Sequence, residues 1–165
     1  MEATSIAEPT QEEKEMYFQM AKKSYREKVA HLEEASTKNL EFQKSFDVTA
    51  ESVAHHKASG NFALASAFIW SKVSSVNPIS IDDSAKVNFE GQAWGVGLGG
   101  GDIWMGGWLA NANVLNGDVK FQFVTHPAVT EISFYKNGTC VGVLAGGGLN
   151  VQLGSMGGSG TFSKA

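Results

Sequence analysis

Glycine is confined to one part of this chain, and its distribution constrains the fold more than any other feature of the sequence. All 19 glycines of the 165-residue chain lie from Gly60 onward, and 18 of them lie within residues 91–165. Glycine inside a strand usually marks a bulge, strong coiling or a close approach of two backbones. The second part of the chain is therefore predicted to form a small, tightly curved β-barrel rather than an open sheet.

Charge divides the chain at the same point. Residues 1–60 carry 11 acidic and 8 basic side chains, whereas residues 61–165 carry 6 acidic and 5 basic ones and no arginine. Such a body lacks the basic stripe that nucleic-acid binding requires, so no nucleic-acid partner is expected. The single cysteine, Cys140, excludes an intrachain disulfide framework and a cysteine-based metal cage, and it is predicted to be a small buried residue.

The first part of the chain predicts a disordered leader (1–9) and a helical arm (10–45). Thr10 and Glu13 have the spacing of a capping box, in which each side chain bonds the backbone of the other residue. Neither Gly nor Pro occurs between there and Lys44, so a helix is predicted over 11–44, with an interruption near 36–39. An apolar stripe at helical spacing forms a candidate arm interface, through which the arm could oligomerise: Phe18, Tyr25, Val29 and Leu32.

Residues 46–165 predict a glycine-rich barrel domain of short strands. Apolar side chains alternate with polar ones in sets about ten residues apart: Phe62, Leu64, Phe68 and Trp70; Val87 and Phe89; Val119, Phe121 and Phe123; Ile132 and Phe134; Val141 and Val143; Leu149, Val151 and Leu153. Asn-Gly pairs at 116–117 and 137–138 are typical of type I′ hairpin turns. The predicted fold class is mainly β, an antiparallel barrel preceded by an α-helical arm.

Motifs that suggest catalysis or cofactor binding have simpler structural explanations. Residues 95–100 match the letters of a dinucleotide-binding motif, yet the glycine-rich sequence that follows cannot sustain the helix that holds a pyrophosphate. The histidines are scattered, nothing near Cys140 supplies a base, and Glu90 with Asp102 is a weak candidate for a glycosidase-like pair. We therefore expect no enzyme activity, no cofactor and no metal site.

Three of the four tryptophans, all in the weakly charged body, form the candidate contact site: Trp94, Trp104 and Trp108. Large rings can fill the space that glycines leave in a barrel, which is the purely structural interpretation. Alternatively, exposed indole rings can bind a sugar, a lipid interface or a partner protein. The specific hypothesis is an exposed loop that carries Trp104 and Trp108 to a membrane or a partner.

The N-terminal residues predict no export signal of the ordinary kind. Residues 1–9 have neither the basic n-region nor the apolar h-region of a Sec signal peptide, and no stretch approaches the roughly 18 apolar residues of a spanning helix. We expect either a cytoplasmic protein or one that is secreted or released by a non-classical route.

Residues 86–165 resemble the virulence-associated protein family of the VapA and VapB type. Five blocks carry the resemblance, in chain order: Phe89-Glu-Gly-Gln-Ala93, Gly99-Gly-Gly-Asp-Ile-Trp-Met-Gly106, Val119-Lys-Phe-Gln-Phe123, Ile132-Ser-Phe-Tyr135 with the hairpin after it, and Gly157-Gly-Ser-Gly-Thr-Phe162. The resemblance implies a compact eight-stranded antiparallel β-barrel with a mobile N-terminal arm and no known catalytic site. It further implies a secreted virulence factor that disturbs the host phagosome or lysosome through membranes.

Three functions are therefore open. The leading hypothesis is a non-enzymatic host-interaction protein whose barrel contacts a host membrane or a host protein, while the arm regulates or tethers it. The second is a module that binds a sugar or a small apolar ligand in the barrel mouth or on the aromatic patch. The third is a secreted cell-directed toxin, for example an insecticidal one, that oligomerises through the arm.

Overall fold

The computed structural model describes residues 9–36, 56–67, 70–82, 85–94, 101–125, 129–147 and 154–165. Two helices are present in these ranges, α1 (Gln11–Ser36) and α2 (Ala112–Leu115). The strands are β1 (His56–Ala67), β2 (Trp70–Ser75), β3 (Ile79–Ile81), β4 (Ala85–Trp94), β5 (Gly101–Leu109), β6 (Gly117–Thr125), β7 (Val129–Lys136), β8 (Thr139–Gly147) and β9 (Gly154–Lys164).

Helix α1 begins with the capping box that the sequence predicts. The Thr10 backbone N–H donates to Glu13 Oε1 at 2.9 Å, and the Glu13 backbone N–H donates to Thr10 Oγ1 at 3.2 Å. These two bonds satisfy N–H groups that have no partner inside the first turn of a helix. The helix ends at Ser36, and the rest of the predicted arm (37–45) and the leader up to residue 8 lie outside the described residues.

The strands close into an antiparallel barrel with eight positions around its wall. The order around the wall is β1, then β2 and β3 together, β4, β9, β6, β7, β8 and β5, and β5 pairs with β1 to close the ring. Strands β2 and β3 share one position because they pair with different lengths of β1, at Phe62–Ala67 and at Ala58 with Ser59. The predicted fold class, an eight-stranded antiparallel barrel with an N-terminal helix, is confirmed.

Phenylalanine rings fill the barrel interior, and glycines make room for them. The Phe89 ring lies at the centre, with its centroid 4.9 Å from that of Phe162 and 5.2 Å from that of Phe134. A Cβ at Gly160 would lie 2.6 Å from Cζ of Phe89, and a Cβ at Gly91 would lie 2.8 Å from Cε1 of Phe121. The inward-facing glycines of β4 and β9 are therefore part of the packing, because side chains there would overlap the rings.

Two local predictions are wrong. The set from Phe62 to Trp70 is not one strand, because β1 ends at Ala67 and Ala67 pairs directly with Trp70 of β2. Asn116-Gly117 is not a type I′ hairpin turn: Asn116 has a φ of −53° and follows α2, and only Gly117 has a positive φ, of 109°. The preceding residues form a helical turn instead of continuing β5, so no strand is available to make a hairpin with β6.

The other Asn-Gly pair forms the predicted turn. Asn137 and Gly138 have φ values of 53° and 81°, the two positive angles that a type I′ turn requires. The turn joins β7 to β8, with Lys136 paired to Thr139. By contrast, β9 was not predicted, and the predicted set Leu149, Val151 and Leu153 lies outside the described residues.

Candidate functional site

Helix α1 packs on the outer surface of the barrel, across β5 and β8. Its buried residues form a second apolar cluster, separate from the barrel interior, that we call the helix–barrel interface: Tyr17, Phe18 and Ala21 from the helix, and Trp104, Cys140, Val143 and Ala145 from the barrel. The two candidate sites predicted from the sequence, the arm stripe and the tryptophans, therefore meet each other here. Burial of each large apolar side chain in such an interface contributes roughly 1.5–3 kcal/mol.

Trp104 lies beneath the helix rather than in an exposed loop. It belongs to β5, between Ile103 and Met105, which both join the barrel core, and it is 7% exposed. Its ring centroid is 5.8 Å from that of Phe18 in an edge-to-face arrangement and 6.2 Å from that of Tyr17. The prediction of an exposed loop carrying Trp104 and Trp108 is wrong, because α1 covers the outward face of this strand.

Trp108 links the barrel to the helix backbone. Its indole Nε1–H donates to the backbone carbonyl of Phe18 at 2.9 Å, and the ring centroids of the two residues are 6.5 Å apart. The Trp108 side chain is half-buried and packs against both apolar clusters. A buried indole that finds a hydrogen-bond acceptor avoids the cost of leaving its N–H unsatisfied.

Two glycines of β5 allow the helix to come close. A Cβ at Gly106 would lie 2.5 Å from Cη2 of Trp104 and 2.8 Å from Cε1 of Phe18, and a Cβ at Gly107 would lie 2.8 Å from Cβ of Ala21. Ala21 is completely buried. The interface thus depends on small residues at the point of closest approach, where any larger side chain would push the helix outward.

Three lysines lie over the aromatic rings of this region. The ammonium nitrogens stand 4.3–5.3 Å from the ring centroids in three pairs: Lys14 with Trp104, Lys22 with Trp108, and Lys57 with Phe18. Such cation–π contacts contribute roughly 0.5–1 kcal/mol each at exposed sites. Lys57 also lies 3.9 Å from Glu15 Oε2, an exposed ion pair of small energetic value.

Farther along the helix, Tyr25 reaches the only cysteine. Cys140 is completely buried, as predicted, and lies in the same cluster that Tyr25 and Tyr135 pack against. Burial raises the pKa of the Tyr25 hydroxyl, and burial together with Cys140 raises the pKa of Tyr135 to about 12. Burial, with Glu13 nearby, also raises the pKa of Tyr17. A raised pKa means that the neutral hydroxyl is favoured over the charged phenolate, as expected where a tyrosine is shielded from solvent.

The arm interface predicted from the sequence is only partly described. Phe18 and Tyr25 lie in the helix–barrel interface, whereas Val29 and Leu32 belong to a part of α1 whose side chains fall outside the described ones. Sequence reasoning missed Tyr17 and Ala21. Ala21 is three residues after Phe18 and four before Tyr25, so it lies on the same helix face as the predicted stripe. The stripe was predicted from larger apolar side chains, and alanine was not counted among them.

Trp94 is separate from the other two tryptophans. It is the last residue of β4 and is 59% exposed, and β4 does not pair with β5, which carries Trp104 and Trp108. Its neighbours across the sheet are Trp70 of β2 and Gly157 of β9. Gly157, the residue directly opposite on β9, has no side chain to pack against the indole ring.

The other candidate residues are not brought together in a catalytic arrangement. Glu90 lies on β4, 3.8 Å from Lys72, while Asp102 lies on β5, which is not a neighbour of β4. His56 contacts the Asp82 carboxylate. Within the described ranges, no group of three or more His, Cys, Asp or Glu residues could hold a metal ion. Neither helix in this part of the chain has the length and apolar character needed to cross a bilayer.

Two solved structures are similar to the structure of this chain. The VapB virulence-associated protein of the intracellular pathogen Rhodococcus equi has a similar structure, with a TM-score of 0.51, 23% sequence identity, and coverage of 67% of this chain and 96% of that one. The VapD protein of the same organism gives a TM-score of 0.48 and 22% identity over 66% and 96% of the two chains. At this identity the VapB match establishes a shared fold. No curated protein matches the chain.

The sequence comparison extends well beyond residues 86–165. The family model described as Rhodococcus equi virulence-associated protein matches residues 8–163, which include α1 as well as the whole barrel. The arm is therefore within the family match and is not an addition to it. The chain belongs to the Rhodococcus equi virulence-associated protein family.

Proposed function

We propose that this virulence-associated protein is a non-enzymatic host-interaction protein that acts at host membranes, in endolysosomal compartments, after release from the cell that makes it. The barrel makes the contact through the end that carries Trp94. The exposed indole of Trp94 is the observation that carries the proposal. A large amphipathic ring in this position is typical of side chains that settle at a lipid–water boundary.

The strand ends around Trp94 support this choice of surface. Eight strands begin or end on that side of the barrel, at residues without charge: Ala67, Trp70, Trp94, Gly101, Thr125, Val129, Gly147 and Gly154. The sequence stretches that connect these strand ends, 68–69, 95–100, 126–128 and 148–153, contain no Asp, Glu, Lys or Arg. Removing such groups from water costs little, because no charge loses its hydration.

The opposite end of the barrel carries more charge. Six charged side chains stand at or beside its strand ends: Lys57, Asp82, Lys86, Asp118, Lys136 and Lys164. By the same criterion the Trp94 end has one, Asp102, beside the start of β5. A bilayer interior would reject the more charged end because ionic groups lose more on leaving water than they regain. Of the two ends of the barrel, the Trp94 end is therefore the better suited to contact with apolar surroundings.

The test is co-flotation of the full chain with phosphatidylcholine–phosphatidylserine vesicles. Trp94→Gln removes the exposed ring and is expected to lower the bound fraction at least about threefold, since losing a buried aromatic contact is worth about 1 kcal/mol or more. Val76→Gln is the matched control, because Val76 is also an exposed apolar residue, at 47%, but lies on the side of the barrel between β2 and β3.

Each result has a clear meaning. Binding that falls in Trp94→Gln and persists in Val76→Gln supports the proposal. Equal losses in both variants would indicate that vesicle binding depends on general surface hydrophobicity and not on a specific contact made by Trp94. Absence of vesicle binding by the unaltered chain, at neutral and at acidic pH, would refute membrane action outright.

A further inference from the structure

We infer that α1 is a removable cover and that the aromatic surface beneath it is a second contact surface, which fits an anionic lipid bilayer. This inference rests on the proposed membrane function and adds to it a conformational step. The structure places two aromatic surfaces face to face, one on the helix and one on the barrel. Both would become available when the helix leaves β5 and β8.

The surfaces that opening would uncover have the composition of a membrane interface. The helix would present Tyr17 and Phe18, and the barrel would present Trp104 and Trp108. Tyrosine and tryptophan combine an apolar ring with a polar group and are enriched where protein meets the lipid headgroups. The buried side chains of the barrel interior are a different set from those of the helix–barrel interface, and only Tyr25 and Trp108 pack against both clusters among the described residues.

The charges at this interface select the kind of lipid. Lys14, Lys22 and Lys57 each place an ammonium group over one of the rings. When the rings enter a bilayer, these long side chains can extend to the headgroup level, where anionic lipids attract them. Glu13, near Tyr17, and Glu15, paired with Lys57, offset part of this charge. The three lysines lie directly over the rings, and they favour an anionic bilayer over a neutral one.

The closed state is held by contacts that a bilayer can replace. Much of the interface is aromatic ring against aromatic ring, and apolar lipid offers the same rings an equivalent environment. A bilayer that binds the open state more tightly than the closed one shifts the equilibrium toward opening.

The native Cys140 reports opening directly. It is the only cysteine of the chain, it is completely buried, and it lies in the cluster that α1 covers. The experiment measures the rate at which N-ethylmaleimide, a small uncharged reagent, labels Cys140 in the full chain. Labelling is followed in buffer, with phosphatidylcholine vesicles, and with vesicles that also contain phosphatidylserine, alongside flotation of the same samples.

Ala21→Asn tests the cover without touching the barrel interior. A larger, polar but uncharged side chain at this fully buried position, against Gly107, opposes docking of the helix and adds no charge that anionic lipid would repel. We expect Cys140 labelling to rise at least about tenfold and binding to anionic vesicles to tighten by a similar factor, because the closed state no longer competes. Gln19→Asn places the same side chain on the exposed side of the same helix and is expected to change neither quantity.

A second, more conservative variant tests the same opening step with less risk of misfolding. Trp108→Phe keeps an aromatic ring but removes the N–H that bonds the Phe18 carbonyl, and it is expected to shift both readouts in the same direction by a smaller factor. Circular dichroism of the strand signal verifies that the barrel remains intact in each variant.

The outcomes separate this inference from the proposed function. If the unaltered chain binds anionic vesicles while Cys140 stays protected, and Ala21→Asn binds no more tightly, the removable cover is refuted and membrane action stands. If neither protein binds any vesicle although Cys140 becomes reactive in Ala21→Asn, membrane action is refuted, and so is the proposal that lipid binds the uncovered surface.

Discussion

The indole N–H of Trp108 donates to the backbone carbonyl of Phe18 across 2.9 Å, joining residues that are 90 positions apart in the chain. A carbonyl oxygen has two lone pairs, so it can accept this bond in addition to the bond within the helix. The contact fixes both the position of α1 along β5 and its rotation about its own axis.

Replacing Trp108 with Phe is expected to weaken docking of α1 by about 1 kcal/mol, the net value of a typical hydrogen bond, while leaving the ring contact with Phe18 largely in place. This corresponds to roughly a fivefold faster labelling of Cys140 by a thiol reagent. Trp94→Phe is the matched control, since Trp94 is exposed and far from the helix. Equal rates in the two variants would contradict the role assigned to the indole N–H.

Gly106→Ala is expected to loosen the helix but not the barrel. The new Cβ would meet ring atoms of Trp104 and Phe18 at 2.5 and 2.8 Å, and since Phe18 belongs to α1, we expect the helix to shift outward. Overpacking of this kind costs about 1–3 kcal/mol. Faster amide exchange in residues 11–25, with unchanged exchange in β6 and β7, is the expected pattern. Protection lost equally in both regions would show that the substitution disrupts the whole fold.

Two glycines of β9 should respond differently to the same substitution. Gly160→Ala puts a Cβ 2.6 Å from Cζ of Phe89 and 2.7 Å from the carbonyl oxygen of Glu90, whereas the nearest atom to a Cβ at Gly157 is 3.9 Å away. We expect Gly160→Ala to lower the free energy of unfolding by about 1–3 kcal/mol and Gly157→Ala to change it little. Urea denaturation of both variants makes the comparison, and similar midpoints would show that the rings around Phe89 have room to move.

The three tyrosines of the chain are expected to ionise late. Burial raises the pKa of Tyr17, Tyr25 and Tyr135 above the ordinary value of 10.0, that of Tyr135 to about 12. Since the unfolded chain releases these protons at lower pH than the folded chain, their stabilising contribution is complete below about pH 10 and falls at higher pH, and that of Tyr135 is lost as the pH rises through about 12. Tyrosinate absorbance in native protein is therefore expected to lag behind that in denaturant. Full ionisation near pH 10 with intact strands would contradict this.

The capping box at the start of α1 also has a measurable value. Thr10→Ala removes the oxygen that accepts the Glu13 N–H and is expected to cost the helix about 1 kcal/mol. Thr10→Ser keeps the oxygen and is the control. The helical signal in circular dichroism is expected to fall at a lower temperature in Thr10→Ala than in Thr10→Ser, and coincident curves would show that docking alone maintains the first turn.

The period-two pattern predicted those strands whose inward positions carry large apolar residues. Phe121 and Phe123 of β6 are buried, as are Ile132 and Phe134 of β7, with polar residues between them. Strand β9 escaped prediction because Gly158 and Gly160 occupy its inward positions, so the apolar signal is absent where the neighbouring rings need the space.

The helix–barrel interface was predicted in its parts but not as an assembly. Each side was recognised, Phe18 and Tyr25 on the helix and Trp104 and Trp108 on the barrel, yet a sequence pattern reports only which residues share a face. It does not report that this face of the helix packs on this face of the barrel, because the contacting residues Phe18 and Trp108 are 90 positions apart in the chain. Trp104 was expected to lie either in the barrel core or on an exposed surface. A strand whose outer face is covered by a helix distant in the sequence has no distinct pattern of apolar residues that would predict this third arrangement.

The position of β9 determines when this protein can fold during its synthesis. The strand lies between β4 and β6, which do not pair with each other, and it forms hydrogen bonds with both along nearly its whole length. Until residues 154–164 have left the ribosome, β4 and β6 each have an open edge, and open strand edges are sites at which nascent chains associate wrongly. Closure of the barrel therefore waits for β9, and β4 and β6 can associate wrongly for as long as β9 is missing.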